Sequence, residues 1–178
     1  PVKMVMRRDD IFRGTGPAPG SMTQIRVGAQ KDGTLVAAEG QYSYQIGAYS
    51  GGWAAQLAAM TGTACYRLPN FDLTGRDVVC NIPDSHAYRA PAAPQAQLAI
   101  ECVIDEIAEK LGIDPVEIRL KNAARNGDPN AFGAPSANLA IVETLEAVKA
   151  HPHYSAPLEP GQGRGFAIGI WGNAGGES

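Results

Sequence analysis

The chain has 178 residues, 44% of them hydrophobic and 19% charged, with a formal net charge of −3. That length suits one domain, and the apolar content is enough for a packed core and too high for a disordered segment. Lys and Arg are scattered rather than striped, and no apolar run is long enough to span a bilayer, so neither a nucleic-acid partner nor a membrane span is expected.

From the N-terminus, residues 2–6 form a short apolar run that predicts a buried strand, closed by Arg7-Arg8-Asp9-Asp10. Residues 13–21, with five Gly or Pro, predict a loop. Ile25, Val27 and Ala29 then alternate with Gln24, Arg26, Gly28 and Gln30, the period of a half-buried strand. Asp32-Gly33 precedes a second run from Leu35 to Tyr49, and an Asp-Gly pair between such segments predicts a hairpin turn with positive φ. Val78 and Val79 lie in a third strand, closed by Pro83.

The clearest helix runs from about Pro94 to Leu111, with Ala96, Ile100, Val103, Ile104, Ile107 and Leu111 on one stripe. Glu101, Asp105, Glu106, Glu109 and Lys110 read as its solvated side, and Gly112 stops it. Asp114-Pro115-Val116-Glu117 starts a short helix, with Asp as N-cap, Pro at N1 and an acid at N3. Ser136 is placed to cap a third helix carrying Leu139, Val142, Leu145 and Val148 to about His151. A Gly/Pro linker leads to a last apolar strand, residues 166–171. The expectation is one α+β domain over residues 1–178, a mixed sheet containing a β-hairpin and packed with two to three helices.

Most candidate chemistry has a plainer reading. Gly161-Gln162-Gly163-Arg164-Gly165 lacks the preceding strand and following helix of a phosphate loop. His151 and His153 flank a proline with no nearby carboxylate or thiol, so a surface helix end is favoured over a metal site. Cys65, Cys80 and Cys102 are widely spaced and odd in number, which points to a reducing, cytoplasmic compartment. One segment resists this treatment: His86-Ala87-Tyr88-Arg89-Ala90-Pro91-Ala92-Ala93-Pro94 leads into the main helix, whose first N–H groups lack internal partners and favour anions. An anion or oxyanion site and a plain lead-in to the helix both fit these residues.

The segment Ala87-Tyr88-Arg89-Ala90-Pro91, continued by Pro94-Gln95-Ala96 and Leu98-Ala99-Ile100-Glu101, resembles the molybdenum-site loop and helix of the xanthine dehydrogenase/aldehyde oxidase family. Pro1-Val2-Lys3-Met4, Asp32-Gly33-Thr34-Leu35, Gly47-Ala48-Tyr49, Tyr66-Arg67-Leu68-Pro69-Asn70, Asn81-Ile82-Pro83, Asp114-Pro115-Val116-Glu117 and Trp171-Gly172-Asn173-Ala174-Gly175-Gly176-Glu177-Ser178 fall in that family's order. The resemblance implies an internal piece of a molybdopterin-binding subunit or domain of a molybdenum hydroxylase. Such enzymes hydroxylate aldehydes or aromatic N-heterocycles with water as oxygen source, in complexes that are commonly oligomeric. The implied cofactor is a molybdenum pterin, often the cytosine dinucleotide form, with 2Fe-2S clusters and FAD on partner subunits or domains.

By the same resemblance, Tyr88, Arg89 and Ala90 match the metal-proximal loop, with the Arg89 backbone amide beside the molybdenum ligands. Ala90 stands where carbon monoxide dehydrogenases carry a copper-holding cysteine, which argues against that activity. Pro91 stands where xanthine-oxidising members place a stacking Phe, and Leu57 where they place a substrate-orienting Arg. Glu177 and Ser178 match a second pocket-lining position. The family's catalytic Glu and its cofactor-binding Gly-Gln-Gly loop are expected beyond Ser178, so no catalytic residue is assigned here and the 178 residues alone are expected to be inactive. The competing reading is a non-catalytic scaffold or subunit-contact module on the same fold.

Overall fold

The computed structural model describes residues 1–49, 51–131 and 133–172. Its order is α1 (Arg8–Gly14), β1 (Ser21–Ala29), β2 (Leu35–Gly47), α2 (Ala54–Thr61), β3 (Phe71–Val79), α3 (Ala93–Leu111), α4 (Pro115–Asn122), α5 (Ile141–Ala150) and α6 (Pro152–Ser155). The three strands form one mixed sheet in the order β1-β2-β3, with β1 antiparallel and β3 parallel to β2. This is the expected α+β class with its hairpin, but with six helices among the described residues instead of two or three.

The hairpin forms where the Asp-Gly pair placed it. Gly33 takes φ +85°, and the turn closes through Gly33 N–H to Gln30 O (2.9 Å) and Gln30 N–H to Thr34 O (2.8 Å). Along β2 the side chains of Ala38, Tyr42, Tyr44 and Ile46 are buried while Glu39, Gln41 and Gln45 face outward. The buried face carries α2 and α3, and the outer face is polar. Parallel pairing of β3 requires a crossover, which α2 supplies. Gly75 lets α2 approach closely, because a Cβ there would lie 2.6 Å from the Ala55 carbonyl oxygen. Asp77 on β3 accepts from the Ala55 N–H (3.0 Å) and so satisfies one open donor at the start of α2.

Three apolar clusters fill the interior. One joins Leu35, Tyr66, Ile100, Ile104 and Ile118, between the hairpin, α3 and α4. A second joins Tyr42, Tyr44, Ala54, Ala55, Ala58, Ala92 and Ala96, between β2, α2 and the start of α3. The third joins Val116, Ala123 and Leu145, between α4 and α5. Each fully buried Ile contributes about 1.5–3 kcal/mol by removal from water. Asp114 caps α4 as the sequence predicts, accepting from Val116 N–H (2.8 Å) and Glu117 N–H (3.1 Å).

Several expectations are corrected. Residues 2–6 form no strand and are not buried: Val2 is 100% exposed, Met4 80% and Val5 81%, because no neighbouring strand covers them among the described residues. The polar cluster after them opens α1 instead of ending a strand, with the Asp10 carboxylate accepting from the Arg7 N–H (3.1 Å). Helix α1 takes in Arg13 and Gly14, so the predicted loop is shorter at its start. Helix α2 was not expected, since its Ala-rich sequence between glycines carries little amphipathic contrast.

Helix α5 starts at Ile141 after Ala140, so Ser136 does not cap it and Leu139 lies outside it. Residues 166–171 join no sheet. Their side chains alternate half-buried (Phe166, Ile168, Ile170) with exposed (Ala167, Gly169, Trp171), yet the ladder is replaced by side chains of α3. The Ile168 N–H donates to Glu101 Oε2 (2.9 Å) and the Ile170 N–H to Gln97 Oε1 (3.3 Å), while Gln97 Nε2 donates to Ile170 O (2.6 Å).

Glu101 is therefore not on a solvated face. It is 4% exposed, and Arg119 beside it is fully buried. Arg119 contacts Glu101 Oε2 at 2.9 Å and Asp105 Oδ1 at 2.8 Å, and donates to Pro115 O (2.9 Å). The Tyr66 hydroxyl donates to the other Glu101 oxygen, and the guanidinium lies 5.4 Å over the Phe166 ring. A buried carboxylate needs this many partners to stay charged. Asp105, Glu106, Glu109 and Lys110 are exposed as expected.

Candidate cofactor-facing loop

Residues 85–92 cross from the end of the sheet to the first turn of α3. Their backbone is held at both ends: the Ser85 N–H donates to Ile46 O (3.1 Å), the His86 N–H to Pro17 O (3.1 Å), and the Ala93 N–H to Ala90 O (3.2 Å). Between these points the chain takes two left-handed turns at residues that are not glycine, Ala90 at φ +56° and Ala92 at φ +64°. Each such residue costs roughly 1–2 kcal/mol, and such conformations persist only where the surroundings enforce them.

The surroundings here are aromatic and polar. The Tyr44 hydroxyl, buried in β2, donates to the Ala92 carbonyl over 3.0 Å. The Tyr88 hydroxyl donates to Gln95 Oε1, and Gln95 Nε2 donates to Pro19 O (3.1 Å). Burial pushes the Tyr44 and Tyr88 hydroxyls above the ordinary tyrosine value, so both remain protonated donors at neutral pH.

The outer surface of this loop is open. Arg89 is exposed, and no ion pair or side-chain hydrogen bond engages it among the described residues. No side chain caps the N-terminus of α3, whose Ala92 cap position has no side-chain oxygen. Ala90 and Pro91 are half-buried. Ser85 Oγ is buried without a hydrogen-bond partner. An anionic group carrying its own oxygens would find N–H donors and a basic side chain here, with small neighbours allowing close approach. The one imidazole of the loop, His86, lies 3.6 Å from the Asp84 carboxylate, and among the described residues no three His, Cys, Asp or Glu side chains group to hold a metal, which fits a metal held by an organic ligand of its own rather than by side chains.

Of the sequence-predicted residues, the structure brings Tyr88, Arg89, Ala90 and Pro91 into this one loop. Leu57, on α2, packs against the same cluster that contains Ala92 and Ala96. Glu177 and Ser178 lie outside the described residues. His151 and His153 sit apart, beside a cavity of about 430 Å³ that Val148, Tyr154, Arg164 and Phe166 also line. The His151 ring nitrogen is taken up by the His153 N–H (3.1 Å). Residues 161–165 lead toward the last extended segment and follow no strand.

Sequence reasoning missed Tyr44, Gln95 and Gln97. Gln97 carried a readable signal: with Ala93, Ile100, Ile104 and Ala108 it falls on the buried stripe of α3, where a polar residue needs a partner. Tyr44 carried none, because its partner is a backbone atom 48 residues away, and of the two partners of Gln95 the Pro19 carbonyl lies 76 residues away.

Residues 1–123 match the family described as the molybdopterin cofactor-binding domain. The chain is 36% identical over 160 residues to an aldehyde oxidoreductase of Megalodesulfovibrio gigas, covering 84% of this chain and 17% of that protein. It is 34% identical over 132 residues to a putative xanthine dehydrogenase molybdenum-binding subunit of Escherichia coli, covering 73% of this chain and 18% of that one. The solved structure of an aldehyde oxidoreductase from Desulfovibrio gigas superimposes with a TM-score of 0.70 at 36% identity, over 76% of this chain and 15% of that one. The chain thus spans under a fifth of the length of these relatives. Domain match, identity and fold agree, and the chain belongs to the molybdopterin cofactor-binding domain family.

Proposed function

We propose that this chain is the part of a molybdenum-binding subunit that presents the Tyr88-Arg89-Ala90 loop to a molybdenum pterin, in an enzyme hydroxylating an aldehyde or an aromatic N-heterocycle. When bound, the molybdenum pterin supplies two-electron oxidation with water as the oxygen donor. The Arg89 backbone N–H would hold charge on that group, at a helix start whose side of the field favours anions. The Arg89 side chain adds positive potential from the solvent side. The observation that carries the reading is the backbone of this loop: two left-handed alanines flank Pro91 beside the exposed Arg89, at a helix start that no side chain caps.

Leu57 and Pro91 line the substrate side in this reading, and Glu177 and Ser178, outside the described residues, are assigned to the same pocket by resemblance alone. An apolar Leu and a Pro supply neither a charged donor nor a stacking ring, so aldehydes and apolar heterocycles are favoured over purines. The catalytic base lies on residues beyond these. The relatives named above include a putative molybdenum-binding subunit; in this reading 2Fe-2S and FAD partners would take up the electrons, and the cytosine dinucleotide is one form the pterin would take. The cytoplasmic placement rests on Cys65, Cys80 and Cys102, all free thiols. Among the described residues no helix is long and apolar enough to cross a membrane.

Elemental analysis of the intact native protein with its co-purifying partners tests this. The expected result is about one molybdenum per subunit, with iron in the partners, and turnover of aldehydes well above that of purines. A folded, matured protein without molybdenum overturns it.

A further inference from the structure

We infer that Tyr44 and Gln95 are positioning residues that hold the Arg89 loop in its left-handed form from opposite sides. The inference rests on the reading of that loop as cofactor-facing. The loop stores strain at Ala90 and Ala92, separated only by Pro91, and few local contacts hold it: among the described residues Ala93 N–H to Ala90 O is the one backbone–backbone bond across the strained pair, with the Ala92 N–H turned to the Tyr88 hydroxyl. The remaining restraint comes from outside. Tyr44 reaches up from the sheet and fixes the Ala92 carbonyl, which also accepts from the Ala96 N–H (3.1 Å) in the first turn of α3.

Gln95 works across the loop. Its amide oxygen takes the Tyr88 hydroxyl and its amide nitrogen ties the same point to the Pro19 carbonyl, on the chain entering β1. Tyr88 and Ala92 flank Arg89, Ala90 and Pro91, so the two struts grip the loop on either side of its exposed crest. Neither strut faces the crest, and both act through backbone or through Tyr88.

Tyr44 is fully buried in β2 with its ring in the apolar cluster. Replacing it with Phe keeps the packing and removes one donor. Gln95→Leu removes both ends of the second strut at similar volume.

The experiment is amide hydrogen exchange on the intact native protein carrying Tyr44→Phe or Gln95→Leu, with molybdenum analysis of the same preparations. Loss of one anchoring hydrogen bond is expected to raise exchange at residues 89–93 about tenfold and to leave residues 100–111 of α3 unchanged. Molybdenum per subunit falls with it. Adding Ala90→Gly, which removes strain at φ +56° without emptying the core, restores slow exchange in the Tyr44→Phe protein.

Unchanged exchange at residues 89–93, or faster loop exchange with undiminished molybdenum, overturns the inference. So does faster exchange along the whole of α3 that Ala90→Gly does not rescue, since that is a general folding defect. A wild-type protein without molybdenum overturns the cofactor reading instead, and the exchange measurement then decides the role of the struts by itself.

Discussion

Asp32 shows how a single residue can combine turn chemistry with a tie to a distant part of the chain. Its carboxylate accepts from Lys121 Nζ (2.9 Å) and from the Thr34 N–H (3.0 Å), which holds its pKa down from 3.8 to about 2. A carboxylate whose pKa is lower folded than unfolded adds stability above the unfolded value and loses it as pH falls through the folded one. The contribution of Asp32 is therefore expected to be intact above pH 4 and to disappear between about pH 4 and 2, and Asp32→Asn should flatten that part of a stability-against-pH curve. Thermal unfolding of both proteins across that range measures it. Asp32-Gly33 and the Asp114 cap were legible in the sequence because their hydrogen bonds close within a few residues. Glu101 misled for the opposite reason: charge predicted exposure, and its principal cation, Arg119, lies one helix further on.

At the scale of elements, α3 is bound to α4 by that ion pair. Breaking a buried pair leaves one charge without its partner in a low-dielectric site, which costs about 3–5 kcal/mol. Arg119→Met, which retains bulk over Phe166, is expected to destabilise the protein by that order in urea unfolding, and Glu101→Gln by less, since Arg119 then keeps the Asp105 carboxylate at 2.8 Å whereas the Glu101 carboxylate left by Arg119→Met keeps no cation. Equal and negligible effects for both would remove the pair from the account of how α3 and α4 are joined. The boundaries of α3 and α4 were readable from their stripe, cap and Gly112 stop, all local signals. Helix α2 was not readable because its location is set by Gly75 and Asp77 on another element.

For the molecule as a whole, the sheet has two open edges among the described residues. Strands β1 and β3 each pair there on one side only, and Val78 and Val79 on β3 are exposed. Unpaired strand edges with apolar side chains template association with other strands. The 178-residue chain produced by itself is expected to self-associate, with Val79→Lys shifting sedimentation toward monomer; a wild-type monomer at high concentration would contradict this. The fold class was legible from the hairpin and the helix order. The placing of residues 166–171 was not, because apolar alternation looks the same whether a strand or two polar side chains receive it. That substitution bears on how the sequence can drift over evolutionary time. Gln97 and Glu101 grip residues 168 and 170 through backbone atoms, so nearly any side chain of suitable bulk is admissible there, proline excepted. The selective constraint is displaced onto the Gln97/Glu101 pair, one helical turn apart, which makes that spacing the better marker of descent than the apolar segment it holds.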